Sequence, residues 1–156
     1  MEKYVLLLAM LLLAGCGDKE EKGPMFTENQ SVPFEIIKYE EKISPIYESL
    51  VPHIAYAETA GQLEELKGRF KVDGFDMDTE KFMAIFIVTY SNSCGVAVDG
   101  AYEDKNNLAV QLLESGGENC DSEGMPHTFV LQVDKKEYEK VQLYNGNIIK
   151  SSIDVD

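Results

Sequence analysis

The stretch that decides the fold is residues 82–90, which read FMAIFIVTY. Its first seven residues carry no polar or charged side chain. A short apolar run rich in aromatic and β-branched residues is typical of a strand in the middle of a sheet, where both faces are covered. The rest of the chain must therefore supply partner strands and a covering layer.

Shorter runs on the C-terminal side of this stretch predict further strands. Apolar and polar residues alternate in residues 95–102, 108–114 and 127–133. The polar residues 104–107 have the composition of a hairpin turn between the first two of these runs. Asn145 and Gly146 form a type I′ turn signal that follows a strand at residues 141–144 and leads into Ile148 and Ile149.

The N-terminal side predicts two strands and a helix. Residues 32–37 alternate around Pro33, which favours an edge strand because proline cannot donate a ladder hydrogen bond. Ser44 and Pro45 break the chain before a second strand at residues 51–57. A capping box then starts a short helix whose apolar face recurs at helical spacing. The cap residues are Thr59 and Gln62, and the apolar residues are Leu63, Leu66 and Phe70.

These elements together predict an α+β, mainly β domain. We expect one strongly curved antiparallel sheet of about six to eight strands with one short helix packed on it. Asp134 and Glu137 also indicate a single helical turn before the strand at residues 141–144.

The composition fits one acidic domain. The 156 residues include 28 Asp and Glu against 14 Lys and Arg, which gives a formal net charge of −14. Phosphate recognition needs a basic surface, so the chain is not expected to bind nucleic acid. An apolar fraction of 44% is too high for a disordered acidic tail and supports one folded core.

The first residues have the pattern of a signal peptide. Lys3 precedes an apolar run at residues 4–14, and polar residues follow from Gly17 onward. The run is far shorter than the roughly 20 residues that a membrane-spanning helix needs. Residues 1–15 are therefore predicted to be a signal peptide that is removed.

The residues Leu13-Ala14-Gly15-Cys16 resemble the lipobox of bacterial lipoproteins. This resemblance implies cleavage before Cys16, a diacylglycerol on its sulfur, and acylation of the new amino terminus, for example with palmitate. The protein would then lie outside the cytoplasm, anchored by Cys16 to the bacterial cell membrane, or to the outer membrane in a host with two membranes. The alternative is a plain secretory peptide in which Cys16 merely follows Gly15.

Residues 16–31 show no periodicity and contain Gly23 and Pro24. We predict a lipidated N-terminus and a flexible acidic tether that holds the domain about 20 Å from the lipid. The globular α+β domain is expected at residues 32–156.

Cys94 and Cys120 form an even pair in an oxidising compartment, which favours a structural disulfide. A hairpin that turns near Lys105 would place Cys94 opposite about Gly116, close to Cys120. Closing this loop would contribute roughly 3.5 kcal/mol of stability. Free thiols, a catalytic thiol, and a zinc site shared with His53 and His127 are the alternatives, although the chain has no Cys-x-x-Cys or His-x-x-x-His spacing.

Four carboxylates at Asp73, Asp76, Asp78 and Glu80 could ligate calcium, but their spacing does not fit an EF-hand. We expect a solvated loop and no cofactor. The chain has no nucleophile or phosphate-binding motif, so we expect no enzyme activity. A hydrolase would need His53 and His127 to converge in one pocket.

The order of elements from about His53 to Val133 resembles the carboxy-terminal domain of the protease-complex-associated lipoproteins of the PrcB type. The shared features are the helix at residues 59–70, the apolar strand, the strand that begins at Gly95, the hairpin, and Pro126 entering the next strand. The resemblance implies a noncatalytic accessory or protein-interaction module that supports a secreted protease or another envelope protein. Its contact surfaces would be the loops at residues 91–94 and 115–126. The alternative is a small-ligand or calcium-binding envelope domain.

Overall fold

The computed structural model describes residues 25–41, 51–122 and 124–156. The predicted signal peptide, Cys16, the first part of the predicted tether, and the break at Ser44 and Pro45 lie outside the described residues. The described part is mainly β, with one α-helix, which confirms the predicted fold class.

The described elements are eight strands, one α-helix and one short 3-10 helix. The 3-10 helix is Glu28–Gln30 and the α-helix, α1, is Ala60–Phe70. The strands are β1 Phe34–Glu40, β2 His53–Ala57, β3 Phe82–Ser91, β4 Val96–Asp104, β5 Asn107–Glu114, β6 Met125–Asp134, β7 Lys140–Asn145 and β8 Ile148–Asp154.

The strands form two four-stranded sheets, in the orders β1-β6-β3-β2 and β4-β5-β7-β8. The apolar strand β3 is internal, as predicted, and pairs along its whole length with β6. The expectation of a single, wholly antiparallel sheet is wrong, because the strands split into two sheets and β5 runs parallel to β7. One 11-residue helix covers only a small area, so a second sheet is what buries the other face of β3.

The two faces of β3 belong to two cores. Met83, Ile85 and Ile87 point between the sheets and pack with apolar side chains of β5, β6 and β7. Ala84, Phe86 and Val88 point to the opposite face of β3 and belong to the second core, which includes side chains of α1. The α1 side chains in this second core are Leu63, Leu66 and Phe70, which are the three residues that the helical spacing predicted.

The start of α1 confirms the predicted capping box. Thr59 Oγ1 accepts a hydrogen bond from Gln62 N at 3.3 Å, and Gln62 Oε1 accepts one from Thr59 N at 3.2 Å. These two bonds satisfy backbone donors that a helix N-terminus leaves without intrahelical partners.

Both predicted hairpin turns are present, the second with a shift of one residue. Asp104 pairs with Asn107, so Lys105 and Asn106 form the first turn, as expected. Asn145 pairs with Ile148, so the second turn consists of Gly146 and Asn147 and not of Asn145 and Gly146. Gly146 has a φ of 58°, which glycine adopts without a steric cost.

The predicted helical turn at residues 134–137 is wrong. Asp134 is the last residue of β6, and the next residues lead to β7 without a helix. Lys135 N donates to Lys81 O at 2.9 Å, and the Tyr138 side chain is buried in the core between the sheets. Both contacts hold the segment in its non-helical path, and tertiary contacts of this kind override a local capping signal.

Residues 25–31 belong to the folded domain. Phe26 is buried, with its ring stacked on Tyr102 at 4.8 Å between centroids and edge-on to Tyr144 at 5.4 Å. Ser31 forms a β-bridge with Tyr102. The domain therefore begins before residue 32, and the predicted tether of residues 16–31 is shorter than its sequence pattern indicated.

Candidate functional site at the disulfide end

Four strand pairs define one end of the sandwich. Ser91 pairs with Met125, Glu40 with Thr128, Val96 with Glu114, and Asn145 with Ile148. We call this region the disulfide end. It comprises residues 39–41, 51–53, 88–97, 112–122, 124–127 and 145–149.

A disulfide joins Cys94 to Cys120, with 5.4 Å between the two Cα atoms. The predicted bond is thus confirmed, and bonded sulfurs are not available as zinc ligands or as a free nucleophilic thiol. Ser115 N donates to Gly95 O at 2.9 Å, so Cys94 lies near Gly116 as the hairpin geometry predicted. The bond connects the β3–β4 loop to the β5–β6 loop.

Asn92 and Ser93 reinforce this connection through hydrogen bonds. Asn92 N donates to Glu114 Oε1 at 2.8 Å, and Asn92 Nδ2 donates to Ser115 O at 2.9 Å. Ser93 N donates to Asp121 O at 2.9 Å, while Asp121 N donates to Ser93 Oγ at 2.8 Å. The β3–β4 and β5–β6 loops, each of which connects one sheet to the other, are therefore fixed to each other.

A chain of side-chain hydrogen bonds lies beneath these loops. His127 Nε2 is 2.8 Å from Ser91 Oγ, and His127 Nδ1 is 3.0 Å from the Tyr39 hydroxyl. The Tyr39 hydroxyl also lies within hydrogen-bond distance of Glu41 Oε1, at 3.3 Å. Ser91 and His127 are each only 4% exposed, so both ring nitrogens of the histidine find their partners inside the protein.

Burial shifts the pKa values of His127 and Tyr39. Desolvation lowers the pKa of His127, and the nearby Glu41 carboxylate acts in the opposite direction with a smaller effect. Desolvation raises the pKa of Tyr39, and the Glu41 carboxylate adds a smaller effect in the same direction. Each hydroxyl has one proton, so with Ser91 donating to Asn92 O a neutral ring donates from Nε2 to Ser91 and accepts at Nδ1 from Tyr39, which then does not donate to Glu41.

The chemistry open to Ser91 is limited by its surroundings. A serine hydroxyl that donates to an imidazole is an activated nucleophile, and Ser91 Oγ lies 2.8 Å from His127 Nε2. Ser91 Oγ instead donates its single proton to Asn92 O at 2.8 Å, and the residue is buried. No local sequence pattern indicates this cluster, because Tyr39 and His127 lie 88 residues apart and meet only through the pairing of β1 with β6.

The two histidines do not converge. His53 lies opposite Val88 on β3, and Val88 lies opposite Thr128 on β6, whereas His127 lies opposite Thr89. Neighbouring residues of a strand point to opposite faces, so His53 and His127 lie on different faces of the sheet. The hydrolase and zinc hypotheses required His53 and His127 in one pocket, and the structure does not bring them together.

The acidic loop at residues 73–80 uses two of its carboxylates locally. Asp76 Oδ1 accepts from Met77 N at 2.9 Å, and Asp78 Oδ1 accepts from Glu80 N at 3.1 Å. Asp78 also pairs with Lys81 at 3.0 Å, and the hydrogen bond from Lys81 lowers the pKa of Asp78. Within residues 25–41, 51–122 and 124–156, no three His, Cys, Asp or Glu side chains gather in a group that could hold a metal ion.

The disulfide end is rich in exposed apolar side chains. Six of the eight large hydrophobic residues that are exposed in the described ranges lie here, and at Leu113 and Ile148 the exposed fractions reach 60% and 61%. The six are Tyr39, Val51, Leu113, Met125, Ile148 and Ile149.

The charges within the ranges of this end are negative. They comprise five carboxylates, Glu40, Glu41, Glu114, Glu118 and Asp121, and no described Lys or Arg, while Lys38 and Lys150 lie one residue beyond the ranges. Glu40 pairs with Lys38 at 3.2 Å, and the other four form no ion pair with a described Lys or Arg.

No protein-family model, curated protein or solved structure matches the chain. The resemblance to PrcB-type lipoproteins therefore stays a prediction. Within the described residues, no helix has the length and apolar character needed to cross a membrane.

Proposed function

We propose that this protein is a lipid-anchored extracytoplasmic bacterial lipoprotein that acts as a noncatalytic protein-interaction module. The disulfide end is the surface that binds an envelope or secreted protein. The observation that carries this proposal is the concentration of exposed apolar side chains at this one end, since such side chains mark interaction sites when they cluster.

The rigidity of the loops supports the same role. Fixed loops lose little conformational entropy on binding, so more of the contact energy remains as affinity. The loops at residues 91–94 and 115–126, which the PrcB resemblance implied as contact surfaces, lie largely at this end. A secreted protease complex is the partner that this resemblance favours.

The noncatalytic part of the proposal is supported by the position of Ser91. Its hydroxyl is buried and bonded to both Asn92 O and His127 Nε2, so substrate could reach it only if the loops opened. We infer that the Ser91–His127–Tyr39 chain stabilises the base of the binding surface.

The membrane anchor is supported by the lipobox at Leu13-Ala14-Gly15-Cys16 and by the disulfide, which is typical of proteins outside the reducing cytoplasm. Each buried methylene of an acyl chain contributes about 0.8 kcal/mol, and a second chain makes anchoring stable. Cell fractionation tests this part: Cys16→Ala is expected to leave the membrane fraction or to remain an unprocessed precursor. The Cys94→Ser/Cys120→Ser double variant should stay membrane-bound, and unchanged fractionation of Cys16→Ala would contradict the anchor.

Site-specific photocrosslinking in intact cells tests the binding surface. A photoreactive residue at Ile148, at the disulfide end, is expected to give a discrete crosslink to another envelope or secreted protein. The same residue at Glu137, which is exposed at the far end of the sandwich, serves as the matched control. Equal crosslinking from both positions, or from neither, would refute a binding role for the disulfide end.

A further inference from the structure

The chain enters the folded domain on the face of the β4-β5-β7-β8 sheet that points away from β3, which we call the outer face. Val110 points into the core between the sheets, so its neighbours Ala109 and Gln111 point outward. Phe26 packs on this outward side, against Ala109 and the ring of Tyr144. The polypeptide that precedes Phe26 therefore leaves the domain from the middle of the outer face.

Two exposed aliphatic side chains lie on the same face. Ile149 pairs with Tyr144, and Tyr144 pairs with Gln111. Leu113 lies two residues beyond Gln111 on β5. Paired residues, and residues two apart on one strand, point to the same side of a sheet. Leu113 is 60% exposed and Ile149 is 49% exposed, so the outer face presents both beside the point where the chain leaves it.

The covalent chain limits which face of the domain can reach the lipid anchor. Nine Cα–Cα steps join Cys16 to Met25, and a fully extended chain covers at most about 3.6 Å per step, or about 32 Å in all. The helix α1 packs on the other sheet, on the side remote from the outer face. Since stacked sheets lie about 10 Å apart and a helix is about 10 to 12 Å wide, a path from the middle of the outer face around a sheet edge to the far side of α1 is about 40 Å long. The anchor therefore cannot bring α1 onto the membrane.

We propose that the outer face lies against the membrane in which Cys16 is anchored, with Leu113 and Ile149 touching the lipid headgroup layer. This inference rests on the lipid anchor of the proposed function and adds the orientation of the domain. The face from which the chain emerges is the nearest to the anchor, and its aliphatic side chains lose exposed area on contact with lipid. The helix α1 then points away from the membrane, and a protein partner reaches the disulfide end from the side.

The charges of the outer face suit neutral lipid. Lys140, Asp154 and Asp104 point outward by the same pairing rule, and the first two form an ion pair at 2.6 Å. The exposed Lys150 follows Ile149, and a lysine beside an apolar contact is suited to reach lipid phosphates. The net charge of −14 would be repelled by an anionic surface, so the contact is expected with zwitterionic headgroups.

Fluorescence quenching by spin-labelled lipid headgroups tests this orientation. A fluorescent amino acid replaces Ile149 in one form of the full-length protein and Glu65, which is exposed on α1, in the matched control. Both proteins are held by their acyl chains in phosphatidylcholine nanodiscs that contain the spin-labelled lipid, and the Cys16→Ala forms provide the blank. We expect a large loss of emission at Ile149 and little at Glu65, because the spin label quenches only nearby fluorophores.

Two matched variants test the aliphatic contact itself, with the fluorescent residue now at Leu113. Ile149→Asp places a charge in the headgroup layer and should reduce the loss of emission at Leu113. Ile36→Asp changes an exposed aliphatic residue of β1, in the other sheet, and should leave that loss unchanged.

Three results would overturn the inference. A loss of emission at Glu65 equal to or greater than that at Ile149 would refute the orientation, and equal effects of the two aspartate variants would refute the contact. The intact mass of the same preparation reports the anchor separately. A bare thiol at Cys16 would refute the anchor and this inference together, whereas an acylated Cys16 with α1 quenched would refute only the orientation.

Discussion

One end of the sandwich holds three ion pairs between a lysine and a carboxylate, whereas among the described residues of the other end only Glu40 pairs with a lysine, Lys38. The paired end, which we call the turn end, comprises residues 57–59, 72–82, 103–107, 134–140 and 154–156. Its ion pairs join Lys81 to Asp78, Lys136 to Glu103 and Lys140 to Asp154. None of the exposed large hydrophobic residues in the described ranges lies there.

The disulfide end is stabilised by other means. A covalent bond, the hydrogen bonds of the buried Ser91 and His127 and the bonds of Asn92 hold its loops, and none of these uses the exposed aliphatic residues. The loops of the disulfide end are thus held by contacts that leave Leu113, Ile148 and Ile149 exposed.

The largest expected effect is the loss of the disulfide. The bond closes a loop with a sequence separation of 26, so the Cys94→Ser/Cys120→Ser double variant should lose about 3 to 4 kcal/mol of unfolding free energy. Urea unfolding followed by circular dichroism measures the change, and Cys16→Ser serves as the control. A loss below about 1 kcal/mol would mean that the loops are held mainly by their other contacts.

The next effect is expected from the buried hydrogen-bond chain. Ser91→Ala leaves His127 Nε2 without its partner inside the protein, and an unsatisfied buried polar group costs about 1 to 3 kcal/mol. Urea unfolding again reports the change. Ser93→Ala, which removes a hydroxyl from an exposed hydrogen bond, should cost less, and the reverse order would contradict a structural role for the chain.

The same chain should make stability depend on pH. Burial gives His127 a lower pKa in the folded chain than in the unfolded chain, so the unfolded chain binds the proton first as the pH falls. Unfolding free energy should therefore fall as pH drops below about 6.5, and level off below the folded pKa.

Unfolding measured from about pH 7.5 down to about pH 5.5 tests this expectation. The His127→Gln variant should lose this component of the pH dependence, and His53→Gln should retain it. If wild type and His127→Gln show the same profile, the ring does not titrate differently on folding.

A smaller effect is expected at the turn end. Lys136→Gln removes an exposed ion pair with Glu103, and such pairs contribute about 0 to 1 kcal/mol. The measured loss should shrink further at high salt because screening weakens surface pairs. A loss comparable to that of the disulfide would remove the contrast between the two ends.

Calcium should have the smallest effect. The carboxylates of Asp76 and Asp78 already accept hydrogen bonds from neighbouring backbone N–H groups. We therefore expect millimolar calcium to leave the melting temperature unchanged, with magnesium as the control. A rise specific to calcium would indicate binding to the native state and would revive the calcium-binding alternative.

Local signals predicted the elements well because each depends on residues close together in the chain. Thr59 and Gln62 are three residues apart and cap α1 as expected. The turn at Lys105 and Asn106 sets the register that brings Cys94 near Cys120, so the disulfide could be predicted as well. The failures at residues 134–137 and 25–31 share one cause: Tyr138 and Phe26 take their positions from distant partners.

The sequence by itself determined the strands, the helix, the hairpins and the cysteine pairing, because periodicity, capping and turn chemistry act over a few residues. Only the tertiary structure decided that the strands split into two sheets, that His53 and His127 lie on different faces, and that Ser91, His127 and Tyr39 meet. Those outcomes depend on which strands lie side by side. The pairing of strands is determined by the need to bury both faces of β3, and it joins residues that are far apart in the chain, so no local pattern predicts it.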